Sequence, residues 1–185
     1  TEKHFNTNDD ICIIDVNMGC PAPKIVKNGE GSALMKNPKL AYEIMSSIKK
    51  IATKPVTVKF RMGFDEENIN AVEFAKIMEE AGVDAIVVSN HGGRVLDQTP
   101  ASCEVLPEIA ARVKGKVKIL VDGGVRTGVD ILKMIALGAD CVLIGRPFIT
   151  ATFAHGAKGV EEYVNSLKGE LKSAMVLTGC NSIEN

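Results

Sequence analysis

The chain has 185 residues, 45% of them hydrophobic, and a formal net charge of −1. This composition supports one buried core and excludes a general electrostatic attraction to nucleic acid or an anionic membrane. With no tryptophan and only 4% aromatic residues, the core is expected to be aliphatic. Charge is unevenly spread: residues 1–61 hold ten Lys/Arg against six Asp/Glu, and the remainder twelve against seventeen.

The opening TEKHFNTNDD is polar and reads as the interior of a longer chain. Ile11 to Val16 (ICIIDV) is a continuous apolar run with one acid, the form of a strand covered on both faces. Asn17-Met18-Gly19-Cys20-Pro21 ends it, and a lysine- and glycine-rich loop follows. Its Gly29–Ser32 turn (GEGS at 29–32) is a weak candidate for a phosphate loop. Asn37-Pro38 opens a helix with Leu40, Ile44, Met45 and Ile48 at helical spacing. VTVKFR is a second strand. Asp65 to Ala81 is predicted to be a helix, with Ile69, Val72, Phe74, Ile77 and Met78 on its apolar face and Gly82 as its stop. Ala85 to Ser89 is a third strand, closed by Asn90-His91-Gly92-Gly93-Arg94, and Val105 to Val113 a short helix.

Val117 to Pro147 reads as strand, glycine turn, helix, strand, glycine turn. Lys118 to Val121 precedes Asp122-Gly123-Gly124, and Thr127 with Asp130 forms a capping box. Cys141 to Ile144 is the fifth strand and Gly145-Arg146 follows it; Gly159 to Leu177 closes the chain as a helix with Val160, Tyr163, Val164, Leu167 and Leu171 on one face. Residues 81–88 (AGVDAIVV) are echoed by residues 137–144 (LGADCVLI), a repeated βα unit. Strands alternating with helices predict a parallel α/β fold. Polar residues follow strand after strand at the carboxyl end, which favours an incomplete (β/α)8 TIM barrel of about five units in a single domain, residues 1–185.

The two glycine turns read as a phosphate cradle. Glycine lets backbone N–H groups approach an anion, a helix N-terminus adds partial positive charge, and Arg126 and Arg146 supply forked donors. The alternative is two ordinary βα turns with solvated arginines. His91 is either a polar turn residue or a base facing the same end as the cradle. Arg94 is either solvated or a clamp for a substrate carboxylate. Lys59 is either a charge snorkelling from a strand end or a cation beside a cofactor that becomes anionic on reduction. Cys20 is either an inert thiol or a proton donor. Asn17 is either a turn residue or a ligand contact. Cys12 and Cys141 are expected to be small core hydrophobes. The five cysteines form no CxxC pair and no metal spacing with the three histidines, so no metal is expected and a reducing cytoplasm fits. No apolar run approaches the ~18 residues of a spanning helix, and no membrane association is expected.

Residues from about 83 to 185 resemble the FMN-dependent 2-hydroxy-acid oxidase and dehydrogenase family. The resemblance rests on VVSNHGGRVLD (87–97), LVDGGVRTGVDILKMIALGAD (120–140) and LIGRPF (143–148). It implies FMN as cofactor and a small 2-hydroxy acid as substrate. His91 would take the hydroxyl proton and Arg94 hold the carboxylate; Asp122, Gly123, Gly124, Arg126, Gly145 and Arg146 would cradle the ribityl phosphate. Residues from about 9 to 82 resemble instead the flavin-dependent tRNA-dihydrouridine synthases, on IIDVNMGCPAPKIVKNGEGSALM (13–35) and PVTVKFRMGFDEEN (55–68). That second resemblance implies tRNA as partner, Cys20 as the acid that protonates uracil, and Asn17 and Lys59 beside the flavin. Together they imply a chimera or fragment with its seam near Gly82. They also imply a barrel lacking three strands, completed by self-association or by a partner.

Overall fold

The computed structural model describes residues 2–94 and 98–183, so Val95, Leu96 and Asp97 of the 87–97 motif lie outside the described residues. Five strands, β1 (Ile14–Asn17), β2 (Val56–Phe60), β3 (Ala85–Val88), β4 (Lys118–Val121) and β5 (Cys141–Val142), form one parallel sheet in chain order. The helices are α1 (Glu2–Thr7), α2 (Pro23–Val26), α3 (Pro38–Ile51), α4 (Ala71–Glu80), α5 (Ser102–Val113), α6 (Gly128–Ala136) and α7 (Arg146–Thr178). Consecutive parallel strands pairing only with their chain neighbours give an arc of a barrel, not a doubly wound sheet. Its outer strands, β1 and β5, do not pair with one another.

Register separates the two faces. Val56, Val58 and Phe60 on β2, Ile86 and Val88 on β3, and Ile119 and Val121 on β4 share one face with Phe74, Met78, Leu106 and Ile109 of the helices in a single core. Phe60 and Phe74 meet edge-to-face at 5.1 Å. The opposite, concave face carries Asp15, Asn17, Thr57, Lys59, Lys118, Leu120 and Cys141. The core is aliphatic with methionine filler, as composition required.

The amino ends of the strands are closed by the repeated aspartate. Asp84 donates its N–H to the Val56 carbonyl (2.9 Å) and accepts the Val56 N–H (2.6 Å); Asp140 does the same with Ile119 (2.7 and 2.9 Å). Lys49 pairs with Asp84 at 2.6 Å and Lys118 with Asp140 at 3.4 Å. Burial pushes both carboxyls up, yet these N–H groups and lysines outweigh it and hold them below the usual aspartate value. The sequence echo is thus a strand-edge clamp used twice.

Several expectations change. Residues 11–13 lie outside β1, because pairing begins only where Ile14 donates to the Pro55 carbonyl. β1 is an edge strand covered on one face, and Cys12 is exposed. Cys141 is exposed too, on the concave face of the other edge. The helix expected from Asp65 begins at Ala71. Gly63 bridges Ile69 instead, and a Cβ at Gly63 would stand 2.1 Å from the Asn68 carbonyl, so the 63–69 turn is closed and Ile69 is exposed. The closing helix starts earlier, at Arg146, and is broken at His155 and Gly156, whose φ/ψ are non-helical. The Gly29–Ser32 turn packs against the Cys20 loop: a Cβ on Gly31 would meet the Cys20 carbonyl at 2.5 Å, and Ser32 is buried. It is a structural turn.

Candidate active site

The β3 exit is an unusual turn. His91, Gly92 and Gly93 all have positive φ (57°, 61° and 70°), a conformation that glycine adopts freely and histidine more readily than most residues. Two side chains hold it: the Ser89 hydroxyl accepts the His91 N–H (3.1 Å) and the Asn90 amide oxygen accepts the Gly92 N–H (2.9 Å). His91 is thereby fixed by its backbone while its ring is left exposed at the carboxyl end.

The β4 exit meets it. Asp122 donates its N–H to the Val88 carbonyl at 3.2 Å, so the DGG turn grows out beside the His91 turn. Gly123 (φ 98°) has no room for a side chain, since a Cβ there would stand 2.8 Å from both the Asn90 amide oxygen and the Ser102 hydroxyl. The Asp122 Oδ1 atom is buried and finds no hydrogen-bond partner among the described residues. A buried acceptor left unpaired costs about 1–3 kcal/mol, and it marks a place for a donor from outside the chain.

The β5 exit completes the group. Gly145, three residues after β5, stands just before α7, which begins at Arg146 with Pro147 in its first turn, and the Arg146 guanidinium donates to the Gly92 carbonyl, tying the β5 exit to the His91 turn. Glycine at position 92 suits its φ of 61° and leaves room for that guanidinium, which a Cβ there would meet at 2.6 Å. Arg126 folds its guanidinium back onto the Gly124 carbonyl at 3.0 Å.

One cleft of about 400 Å³ gathers His91, Arg94, Asp122, Gly123, Gly124, Arg126, Gly145 and Arg146. Asn17, Lys59 and Cys20 do not line it. They form a separate group at the β1 and β2 exits, where Asn17 pairs in register with Lys59 and its side chain accepts the Gly19 N–H (2.9 Å). A Cβ on Gly19 would meet Arg61 at 3.2 Å and the Lys59 ammonium at 3.8 Å. The Cys20 carbonyl accepts the Ser32 N–H at 2.9 Å.

The electrostatics of the cradle differ from expectation in one respect. The N-terminus of α6 is already capped by carboxylates: Asp130 Oδ2 accepts the N–H groups of Arg126 (3.1 Å) and Thr127 (3.0 Å), and Glu170 Oε2 accepts that of Gly128 (2.7 Å). Burial raises Asp130, but the Thr127 side chain and the two N–H groups prevail and hold it below the usual range. The helix N-terminus that lines the cleft is therefore that of α7, with Arg146 at its head. Sequence reasoning missed Asn90 as the holder of the turn and Glu170 as a distant cap. Asn90 was legible in principle, since an Asn two residues before a glycine favours an Asx turn; Glu170 carried no signal. No helix among the described residues is long and apolar enough to cross a membrane.

Comparison with known proteins agrees with this geometry. Residues 22–185 match the family model for FMN-dependent dehydrogenases, and the chain belongs to that family. It is 42% identical over 147 residues to 2-hydroxyacid oxidase 2 of Bos taurus, covering 80% of this chain and 39% of that protein. It is 46% identical over 140 residues to the L-lactate oxidase of Lactobacillus jensenii, covering 76% and 32%. Among solved structures, a mandelate oxidase shares 43% identity and a TM-score of 0.68 over 77% of this chain and 41% of its own. The chain thus spans about two fifths or less of the length of these relatives. The family match runs unbroken through Gly82, so a seam there and a dihydrouridine-synthase half gain no support.

Proposed function

We propose that this chain carries the flavin-phosphate and base portion of an FMN-dependent oxidoreductase that converts a small 2-hydroxy acid to a 2-oxo acid. The observation that carries the reading is the single cleft in which His91 and Arg94 share walls with the Asp122–Arg126 turn and Gly145-Arg146. The residues suit FMN. Asp122 Oδ1 lacks a donor, as a ribityl hydroxyl would supply, and two arginines with the α7 N-terminus suit a phosphate. When bound, FMN supplies a two-electron acceptor for the hydroxyl-bearing carbon.

The chain's own residues do the rest. The imidazole of His91, presented by its left-handed backbone, takes the proton from the substrate hydroxyl oxygen. Arg94 holds the carboxylate through a forked pair. Lys59 and Asn17, at the β2 and β1 exits, would be the residues beside the flavin. The test is a flavin spectrum of the purified protein loaded with FMN, then anaerobic addition of lactate, glycolate or mandelate. Bleaching of the flavin's visible absorbance is the expected outcome, as the bound flavin takes up two electrons; a loaded protein that no 2-hydroxy acid bleaches sinks the activity while leaving the cofactor reading intact.

A second reading, reduction of uridine in tRNA, is favoured only by Cys20 in the β1-exit loop three residues after Asn17, and the net charge of −1 offers tRNA little general attraction. Unmodified tRNA left unreduced by the holoprotein with NADPH removes it. We further propose that the open edges β1 and β5 are covered in solution, by self-association or by a chain that supplies further strands. A monodisperse monomer in light scattering contradicts this. All five cysteines are free thiols, which supports a reducing, cytoplasmic setting.

A further inference from the structure

Tyr163 lies outside the cleft, on the second half of α7, yet touches both arms of the cradle. Its hydroxyl donates to the Arg126 carbonyl at 2.8 Å. Its ring meets Phe148 edge-on, with centroids 5.1 Å apart and planes at 74°, and Phe148 stands two residues after Arg146 in the first turn of α7. Tyr163, Arg126 and Arg146 also line one common hollow of about 530 Å³ beside the cleft.

The rest of α7 makes this placement stiff. Glu170, two turns further along, takes the Gly128 N–H. Gly128 is seated directly on the helix backbone, where a Cβ would stand 2.2 Å from the Leu171 nitrogen and 2.5 Å from the Leu167 carbonyl. The break at His155 and Gly156 separates this half of α7 from the half that Arg146 heads. Burial and then the Glu170 carboxylate push the Tyr163 phenol above its ordinary value, so it remains a donor.

We propose that Tyr163 is a positioning residue of the anion cradle: its hydroxyl fixes the Arg126 peptide and so sets the preference of the site for a phosphorylated over an unphosphorylated flavin. This rests on the FMN reading above. A guanidinium whose own peptide is held needs less ordering when it meets a phosphate, and that saving appears as affinity. Arg126 is otherwise exposed, with its guanidinium on the Gly124 carbonyl and its N–H on Asp130 of α6, so the Tyr163 contact is what ties its carbonyl to the second half of α7.

Tyr163→Phe keeps the ring and its Phe148 contact and removes only the hydroxyl. FMN and riboflavin are titrated separately into wild type and variant by flavin fluorescence. Loss of one hydrogen bond should weaken FMN about fivefold to tenfold and leave riboflavin within about twofold. Amide hydrogen exchange over residues 124–128 in flavin-free protein should rise by a similar factor, with residues 85–88 unchanged. Glu170→Gln retains an acceptor for Gly128 and removes the neighbouring charge; it should keep the wild-type FMN-to-riboflavin ratio. An unchanged ratio in Tyr163→Phe overturns the proposal, as does an equal fall in Glu170→Gln, which would make the effect one of charge. If the wild type binds neither flavin, the FMN reading fails. The exchange of residues 124–128, with and without inorganic phosphate, then decides alone: unchanged exchange in Tyr163→Phe overturns the positioning role.

Discussion

The two ends of this sheet use the same residue type in opposite ways. At the amino end, Asp84 and Asp140 each close a strand edge with paired N–H contacts and a lysine, so their carboxylates are satisfied within the chain. At the carboxyl end, Asp122 stands in an equivalent strand-exit position with a buried oxygen that nothing in the described chain serves. Left-handed backbone occurs at both ends, at Gly82, Gly115 and Gly138 before β3, β4 and β5 and at His91, Gly92, Gly93, Gly123 and Gly124 after β3 and β4, but only the carboxyl end places a non-glycine residue, His91, in it. The clamps at the amino end are closed within the chain, whereas Asp122 Oδ1 is left without a partner among the described residues. Under the proposed function, the amino end serves the fold and the carboxyl end the ligand.

The largest test of that division is His91→Ala. If the carboxyl end is the reactive end, bleaching of FMN-loaded protein by a 2-hydroxy acid should slow by about 10²–10⁴-fold, the range for a lost general base. Melting temperature and FMN affinity should barely move, because the ring is exposed and the turn is held by Ser89 and Asn90. Stopped-flow reduction beside a thermal melt separates the two. A variant that melts early would mean the His91 turn belongs to the structural side of the comparison.

Asp122→Ala should split the readouts the other way from any change at the amino end. FMN affinity is expected to fall about tenfold, the loss of one well-placed acceptor for a ligand hydroxyl. Stability of the flavin-free protein should hold or rise, since an unserved buried oxygen is removed. Denaturant melts with and without FMN check this. A loss of stability in the flavin-free protein would place Asp122 with Asp84 and Asp140.

The same division explains what could be read from residues alone. The five strands, the α6 capping box and the grouping of eight of the eleven candidate residues around one cleft were legible because each rests on local chemistry: β-branched runs, Thr127 with Asp130, glycines after strands. Asn17, Lys59 and Cys20 fell into a separate group because strand spacing alone does not say which exits face a common cleft. The 65–81 helix was drawn too long because apolar period cannot see that Gly63 closes a turn against Asn68. Cys12 was assigned to the core because the apolar run continues ahead of β1 where no pairing follows, and Cys141 because an edge strand carries the same apolar residues as a central one. The cap from Glu170 onto Gly128 spans 42 residues and leaves no pattern in either segment.

The smallest expected effect is at the amino end and concerns pH. Asp84 and Asp140 are held below the ordinary aspartate value of 3.8 in the folded chain. A carboxyl depressed on folding stabilises above its unfolded value, and that contribution is lost as pH falls through the lower folded value. Stability should therefore be flat above about pH 5 and decline below about pH 4. Asp140→Asn keeps the acceptor for the Ile119 N–H but gives up the charge facing Lys118 and Lys114, so it should cost about 1 kcal/mol or less at pH 7. The same variant should flatten part of the acid decline, because one of the three depressed carboxyls, Asp84, Asp130 and Asp140, is gone. Urea melts at pH 7 and pH 3.5 compare the two proteins directly. If Asp140→Asn declined in acid as steeply as the wild type, the clamp at this edge would be held by its N–H contacts alone, and the charge would add nothing to the structural end of the sheet.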